Sequence, residues 1–153
     1  MCLNHFTGLS SSQNEHFFDK GNYYAVFSTN NLKSVSEELK TIQMSNFDKK
    51  EAFEGALLMK KAQLVPHPPQ KLSLFKEGSK KLETAIKNSP NNAEYHFLRF
   101  MIQENAPSFL GYNSNLQEDK KIIVTYYKSL EAPVQQAIKN YSKTSKLLTP
   151  NLF

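Results

Sequence analysis

Residues 72–110, LSLFKEGSKKLETAIKNSPNNAEYHFLRFMIQENAPSFL, contain the pattern that decides the fold. In their first half, apolar and small side chains recur at the three-and-four spacing of one buried helical face, and these are Phe75, Gly78, Leu82, Ala85 and Ile86. Proline disfavours a helical residue before it, so SPNN at 89–92 ends this helix. Asn91, with Glu94 three residues later, predicts a capped start for a second helix. The stretch therefore predicts two helices that meet at a tight corner.

Helical spacing of apolar residues continues outside this corner. It predicts further helices at 32–42, 49–64, 116–130 and 133–143. In the helix at 49–64, Gly55 and the alanines form a face of small residues that lets a neighbouring helix approach closely. Three prolines in VPHPP at 65–69 favour an extended connection there, and 105–113 reads as an ordered loop folded over a groove between helices.

Two segments leave alternatives open. The aromatic-rich segment 15–28 fits either a helix or a hairpin that turns at Lys20-Gly21-Asn22. The string IIVTYY at 122–127 has the composition of a short strand, although the helical spacing persists through it. We favour helix in both segments because the rest of the chain has helical periodicity.

These patterns together predict an all-α protein of five or six antiparallel helices arranged as hairpins. The predicted organisation is a loose N-terminal segment at 1–13, a single helical domain at 14–143 and a C-terminal tail at 144–153. The tail contains leucines, a phenylalanine and a proline, and we expect it to dock as a strap over an exposed hairpin.

The corner resembles a tetratricopeptide (TPR) repeat. Four residues stand at the offsets where such repeats place a small residue, a large apolar residue, an alanine and a closing proline, and these are Gly78, Leu82, Ala85 and Pro90. The match is short, and it departs at Arg99-Phe100, where a TPR helix has Leu-Gly. The resemblance implies a TPR-like helical array.

A longer pattern is similar to a group of small uncharacterised bacterial proteins of Bacteroidetes type. It comprises AFEGALLMKKA at 52–62 and FLRFMIQENAPSFLGYNSNLQEDKKI at 97–122. This resemblance supports the helical fold and allows a cell-envelope setting. It contributes no catalytic residue.

Composition limits the class of protein. A chain of 153 residues with 39% hydrophobic residues is typical of one globular domain, and no apolar run approaches the roughly eighteen residues of a membrane span. Cys2 is the only cysteine, which excludes an intramolecular disulfide and a zinc site built from cysteines. Residues 1–13 lack a signal-peptide pattern, but Cys2 after Met1 is also what a removed lipoprotein signal would leave. The predicted location is cytoplasmic, or periplasmic if a signal was removed.

The net charge of +5 arises entirely in the second half of the chain. Residues 1–70 carry seven lysines and seven acids, whereas 71–153 carry eleven lysines and Arg99 against seven acids. Such an excess fits an anionic partner, but dispersed lysines with a single arginine are more typical of a solvated surface than of a nucleic-acid interface.

No catalytic, metal or cofactor motif is recognisable. The four histidines lack metal-site spacing, and no phosphate-binding loop or nucleophile motif is present, so we expect no cofactor and no enzymatic activity. The polar residues that could contact a ligand or partner are Tyr95, His96, Arg99, Gln103 and Tyr112. Of these, His96, Arg99 and Gln103 fall on adjoining positions of one side of their helix. Arg99 could bind a ligand carboxylate or phosphate, or it could pair with an acid or a loop carbonyl of this chain and pin the 105–113 loop.

The sequence therefore suggests a non-catalytic interaction or scaffold protein that binds a peptide or protein segment on a helical surface. The alternative is an envelope protein that binds an anionic or lipid-like ligand near Arg99. Oligomeric state and partner identity stay open.

Overall fold

The computed structural model describes residues 18–153, and this part of the chain contains α-helices and no β-strand. The helices are α1 (Lys20–Phe27), α2 (Leu32–Met44), α3 (Lys50–Leu64), α4 (Pro68–Asn88), α5 (Ala93–Asn105), α6 (Leu116–Tyr126) and α7 (Ala132–Ser142). Short 3₁₀ turns occur at Ser108–Leu110, Tyr127–Ser129 and Pro150–Leu152. The predicted all-α class is therefore confirmed.

The two segments for which a hairpin or a strand was also considered, 15–28 and 122–127, form helix in the residues that the structure describes. KGN at 20–22 forms the first turn of α1, capped by the Asp19 carboxylate, which accepts from the Asn22 amide at 3.0 Å. IIVTYY at 122–127 runs through α6 into the following 3₁₀ turn. Seven helices result instead of five or six, because α1 forms in the segment 15–28, where the sequence also allowed a hairpin. The predicted loose segment 1–13, with Cys2, and positions 14–17 lie outside the described residues.

Two helix starts differ from the sequence prediction. Asn92 caps α5 by accepting from the Tyr95 amide at 3.2 Å, a role that the sequence had assigned to Asn91. Glu94 does not complete a capping box, because its carboxylate instead binds Lys20 of α1 at 2.8 Å. α4 begins at Pro68, so the extended connection is shorter than predicted; proline is tolerated in the first helical turn, where the amide has no intrahelical partner.

α3 and α4 form a closely packed antiparallel pair in which two glycines face each other. A Cβ on Gly55 would lie 2.6 Å from the Gly78 carbonyl oxygen, and one on Gly78 would lie 2.5 Å from the Gly55 oxygen. Further along the pair, Lys71 near the start of α4 donates to the Gln63 carbonyl near the end of α3. The opposite directions of these contacts define the antiparallel arrangement, and the glycines allow backbone-to-backbone approach.

α5 is the central helix of the core. Every residue from 93 to 103 is buried, so the helix has neighbours on all sides, including α3, α4 and α6. α1 packs its tyrosines into the same core, where Tyr23 donates to the Phe53 carbonyl at 3.0 Å and Tyr24 donates to Glu94 at 2.9 Å. None of the described helices has both the length and the apolar run that a bilayer crossing requires.

The two ends of the described chain close the fold. α1 packs against α7, and Lys20 binds Glu131 just before α7 at 3.1 Å. The C-terminal tail docks on α5, where the Glu104 carboxylate accepts from the Ser145 hydroxyl at 2.9 Å and the Lys146 amide at 3.0 Å. Leu148 is fully buried. Residues 144–153 therefore pack as part of the same helical unit.

Candidate functional site

Four of the five candidate contact residues meet in a buried polar cluster between α4, α5 and α6. They are His96, Arg99, Gln103 and Tyr112. Tyr95 lies elsewhere on α5, with its ring 6.3 Å from the Phe53 ring, and it lines a depression of about 1270 Å³ near the start of α1. The sequence spacing predicted that His96, Arg99 and Gln103 share one side of α5. In the structure Tyr112 joins these three residues, whereas Tyr95 does not.

Arg99 is the centre of the cluster. Its side chain is buried, and Nε and Nη2 donate to the two oxygens of Asp119 in α6 at 2.9 and 2.6 Å. Nη1 donates to Glu83 of α4 at 2.8 Å. Burial by itself lowers the pKa of Arg99, but the hydrogen bonds and charges of Asp119 and Glu83 outweigh it and raise the pKa. Arg99 is therefore a permanent cation that joins α5 to both neighbours.

His96 has a hydrogen-bond acceptor at each ring nitrogen. Nδ1 lies 2.6 Å from Asp119 Oδ1, and Nε2 lies 2.7 Å from the Pro90 carbonyl oxygen. A carbonyl and an ionised carboxylate can only accept, so this geometry is satisfied when both nitrogens carry a proton. Burial lowers the pKa of His96, but the hydrogen bonds to Asp119 and Pro90 outweigh it and raise the pKa. The charged ring joins the corner at 89–92 to α6.

The remaining members of the cluster hold the 105–113 loop and the start of α6. Gln103 exchanges two hydrogen bonds with Asn115, donating to its side-chain oxygen at 3.0 Å and accepting from its backbone amide at 3.1 Å. Tyr112 donates to Glu83 at 2.6 Å, and burial together with this carboxylate raises the pKa of the Tyr112 hydroxyl. Gly111 supplies the left-handed turn before it, with a φ of 63°.

The cluster leaves Arg99 with no guanidinium nitrogen free for a ligand. Every guanidinium nitrogen already donates to a carboxylate, and only 5% of the side chain is exposed, so little of Arg99 is accessible to an anionic ligand. His96 and Asp119 form an imidazole–carboxylate pair, but they are 1% and 0% exposed, so a substrate cannot reach them. Arg99 pairs with acids of this chain, as one of its two considered roles requires, but its hydrogen bonds go to α4 and α6 and not to the 105–113 loop, which Tyr112 connects to Glu83. Ligand contact by these residues stays a prediction.

A groove of about 550 Å³ lies between α1, α5 and α7, with the second half of α3 on one side. We call it the α1–α7 groove. Its apolar floor consists of Tyr24, Phe27, Phe97, Met101 and Ile102. Side-chain amides border the groove, and these are Asn30, Gln63, Asn105, Gln136 and Asn140. Lys60 is the one charged residue of the lining. The volume falls in the range of natural ligand pockets, about 300–1,000 Å³.

No residue of the α1–α7 groove was among the candidates from sequence. Its walls come from helices at opposite ends of the chain, and local spacing carries no information about that contact. A partial signal exists in α7, where Gln136 and Asn140 lie four residues apart and so share one helical side.

Within residues 18–153, no group of three or more histidine, cysteine, aspartate or glutamate side chains is placed to hold a metal ion. His5, His16 and Cys2 lie outside the described residues. Comparisons of the chain with protein-family models, with curated proteins and with solved structures found no match.

Proposed function

We propose that this chain is a non-catalytic interaction or scaffold protein that binds a peptide or protein segment in the α1–α7 groove. The observation that carries the proposal is the groove itself, which combines an apolar floor with a border of side-chain amides. The expected partner is a peptide segment of another protein, and the binding needs no cofactor.

The chemistry of the lining fits a peptide. An amide side chain has both donors and acceptors, as does each backbone peptide unit, so the bordering asparagines and glutamines can bond to peptide N–H and C=O groups. The floor can bury the apolar side chains of the same segment, which is the main favourable contribution in such complexes. Asn140 is suited to this role because it is exposed and bonds only to neighbours on α7, through Gln136 and Lys143.

The helix arrangement also supports a TPR-like interpretation. The close contact between Gly55 and Gly78 joins α3 and α4 through small residues, as the resemblance of the corner to a TPR implies for a helical hairpin. α3 and α5 both contribute to the lining of the groove, which is the expected arrangement when successive hairpins present one helix each to a binding surface.

A display selection with random peptides tests the proposal, using a variant in which the groove is filled. Ala25 is exposed on α1 and lines the groove, so Ala25→Trp blocks it without entering the core. Thr84→Trp, at an exposed position of α4 outside the groove, is the matched control. We expect selected peptides to bind Ala25→Trp at least about tenfold more weakly than the native chain and Thr84→Trp equally well. Failure to select any peptide, or equal binding by Ala25→Trp, would refute the proposal.

A further inference from the structure

Lys60 of α3 occupies an unusual environment for a lysine. It is half-buried, its Nζ lies 5.9 Å from the centre of the Phe27 ring, and it donates to the Asn30 side-chain oxygen at 3.2 Å. Among the described carboxylates, none forms an ion pair with it. The ammonium group is therefore partly removed from water without an anion to compensate.

Two other half-buried lysines, Lys20 and Lys81, have acidic partners. Lys20 pairs with Glu94 at 2.8 Å, and Lys81 pairs with Glu51 at 3.3 Å. Burial lowers the pKa of both amines, but their acidic partners outweigh it and raise the pKa. The pKa of Lys60 is lowered, and burial is the cause. Lys60 is thus a partly desolvated cation that lines the groove and has no ionic partner among the described residues.

We infer that the segment bound in the α1–α7 groove carries an aspartate or glutamate side chain that pairs with Lys60. This inference rests on the proposed function and specifies its ligand as an acidic peptide. The incoming carboxylate would supply the missing anion, in a position where partial exclusion of water strengthens the pair. The net charge of +5 favours the approach of an acidic partner at long range.

The lining distinguishes a peptide from a fatty acid, which would also present a carboxylate beside an apolar chain. The bordering amides are exposed, and although Asn30, Asn105, Gln136 and Asn140 each make a hydrogen bond within the chain, their remaining donors and acceptors are open to water. A hydrocarbon chain over the groove would remove that water without offering a hydrogen bond in return, which is unfavourable. A peptide backbone satisfies these amides.

Lys60→Met tests the inferred ion pair because the substitution keeps an unbranched apolar side chain and removes the uncompensated charge. We expect this variant to melt at the same temperature as the native chain or higher. Lys61→Met is the matched control, since Lys61 is the next residue of α3, is also half-buried, and does not line the groove.

The experiment measures binding of fluorescent peptides chosen by display on the native chain for their sensitivity to Ala25→Trp. We expect these peptides to be enriched in aspartate or glutamate and to bind Lys60→Met about ten- to hundredfold more weakly, with Lys61→Met unchanged. A peptide in which lysine replaces the acidic residue should not bind the native chain, but it should bind Lys60→Glu.

Groove-dependent peptides without an acidic residue, or with equal affinity for Lys60→Met, would overturn this inference and leave the proposed function intact. Selection of no groove-dependent peptide would overturn both. Laurate serves as the lipid probe: binding of laurate that depends on Lys60, in the absence of peptide binding, would assign the groove to a lipid carboxylate instead.

Discussion

Asp119 has no exposure to solvent, and its charge is compatible with burial because Arg99 and His96 both donate to it. Burying an ion without partners is far more unfavourable than burying a matched set. The cluster contains the Arg99 cation, two carboxylates that are directly bonded to it, Asp119 and Glu83, and His96, whose ring nitrogens both face acceptors. Burial of each charged side chain is therefore favourable only while its partners are present, and removal of one partner should destabilise the fold.

Arg99→Met should strongly destabilise the fold. The substitution leaves Asp119 buried with His96 as its remaining side-chain partner, and removing one partner of a buried ion pair typically costs about 3–5 kcal/mol. For a domain of this size we expect the melting temperature to fall by roughly 10 °C, measured by circular dichroism. Lys87→Met, at an exposed position of α4, should leave it unchanged. An unaltered melting temperature with lost peptide binding would instead assign Arg99 to recognition.

His96 should make stability depend on pH. The pKa of His96 is raised in the folded chain, because hydrogen bonds to Asp119 and Pro90 outweigh the effect of burial, so the folded state holds the proton more tightly than the unfolded state does. This contribution is fully present below the unfolded pKa of about 6.5, and it is lost as pH rises through the higher folded pKa. Urea unfolding at a series of pH values should show that loss in the native chain.

His96→Gln should remove this loss of stability above about pH 6.5, while His67→Gln should retain it. His67 is exposed before α4 and serves as the control. The groups facing His96 are Arg99 on its own helix and Asp119 on α6, and Glu83 on α4 acts through Arg99. The same pH profile in His96→Gln and in the native chain would show that folding does not raise the pKa of His96.

At the scale of secondary-structure elements, the contact between α3 and α4 depends on two positions without a Cβ. The sequence indicated a small residue at each of them, since Gly55 lies on an alanine-rich face and Gly78 occupies the small position of the TPR-like pattern. The sequence did not indicate that Gly55 and Gly78 would lie against each other. That contact follows from where α4 starts, and the prolines at 68–69 had suggested a longer connection than the structure contains.

Gly78→Ala should push α3 and α4 apart. The added Cβ would meet the Gly55 carbonyl at 2.5 Å and the Met59 side chain at 2.8 Å, and the backbone atom cannot move without the helix. Overpacking of this kind typically costs about 1–3 kcal/mol, which urea unfolding can measure. Gly21→Ala, on the exposed side of α1, meets only the Asp19 carboxylate at 3.2 Å and should be neutral or stabilising. Equal stability of Gly78→Ala and the native chain would contradict the role given to this contact.

At the scale of the whole molecule, a feature could be predicted from the sequence when the residues that form it lie close together along the chain. The corner at 89–92, the helical character of the chain and the shared side of His96, Arg99 and Gln103 were predicted, because each depends on residues within a few turns of one another. The acid that pairs with Arg99 was not identifiable, since the chain has fourteen acids and only the packing of α6 selects Asp119. The α1–α7 groove could not be predicted, because Lys20 and Glu131, which help to join its walls, are 111 residues apart.

The closure of α1 on α7 has a consequence for how the protein is made. A ribosome releases α1 before α7, so the α1–α7 groove has no second wall until residues 132–142 have been made. A nascent chain stopped before residue 132 would contain the residues of the buried arginine cluster and of the glycine contact, yet it would lack one wall of the groove. The peptide binding that we propose for the groove is therefore expected to begin only after α7 has been synthesised.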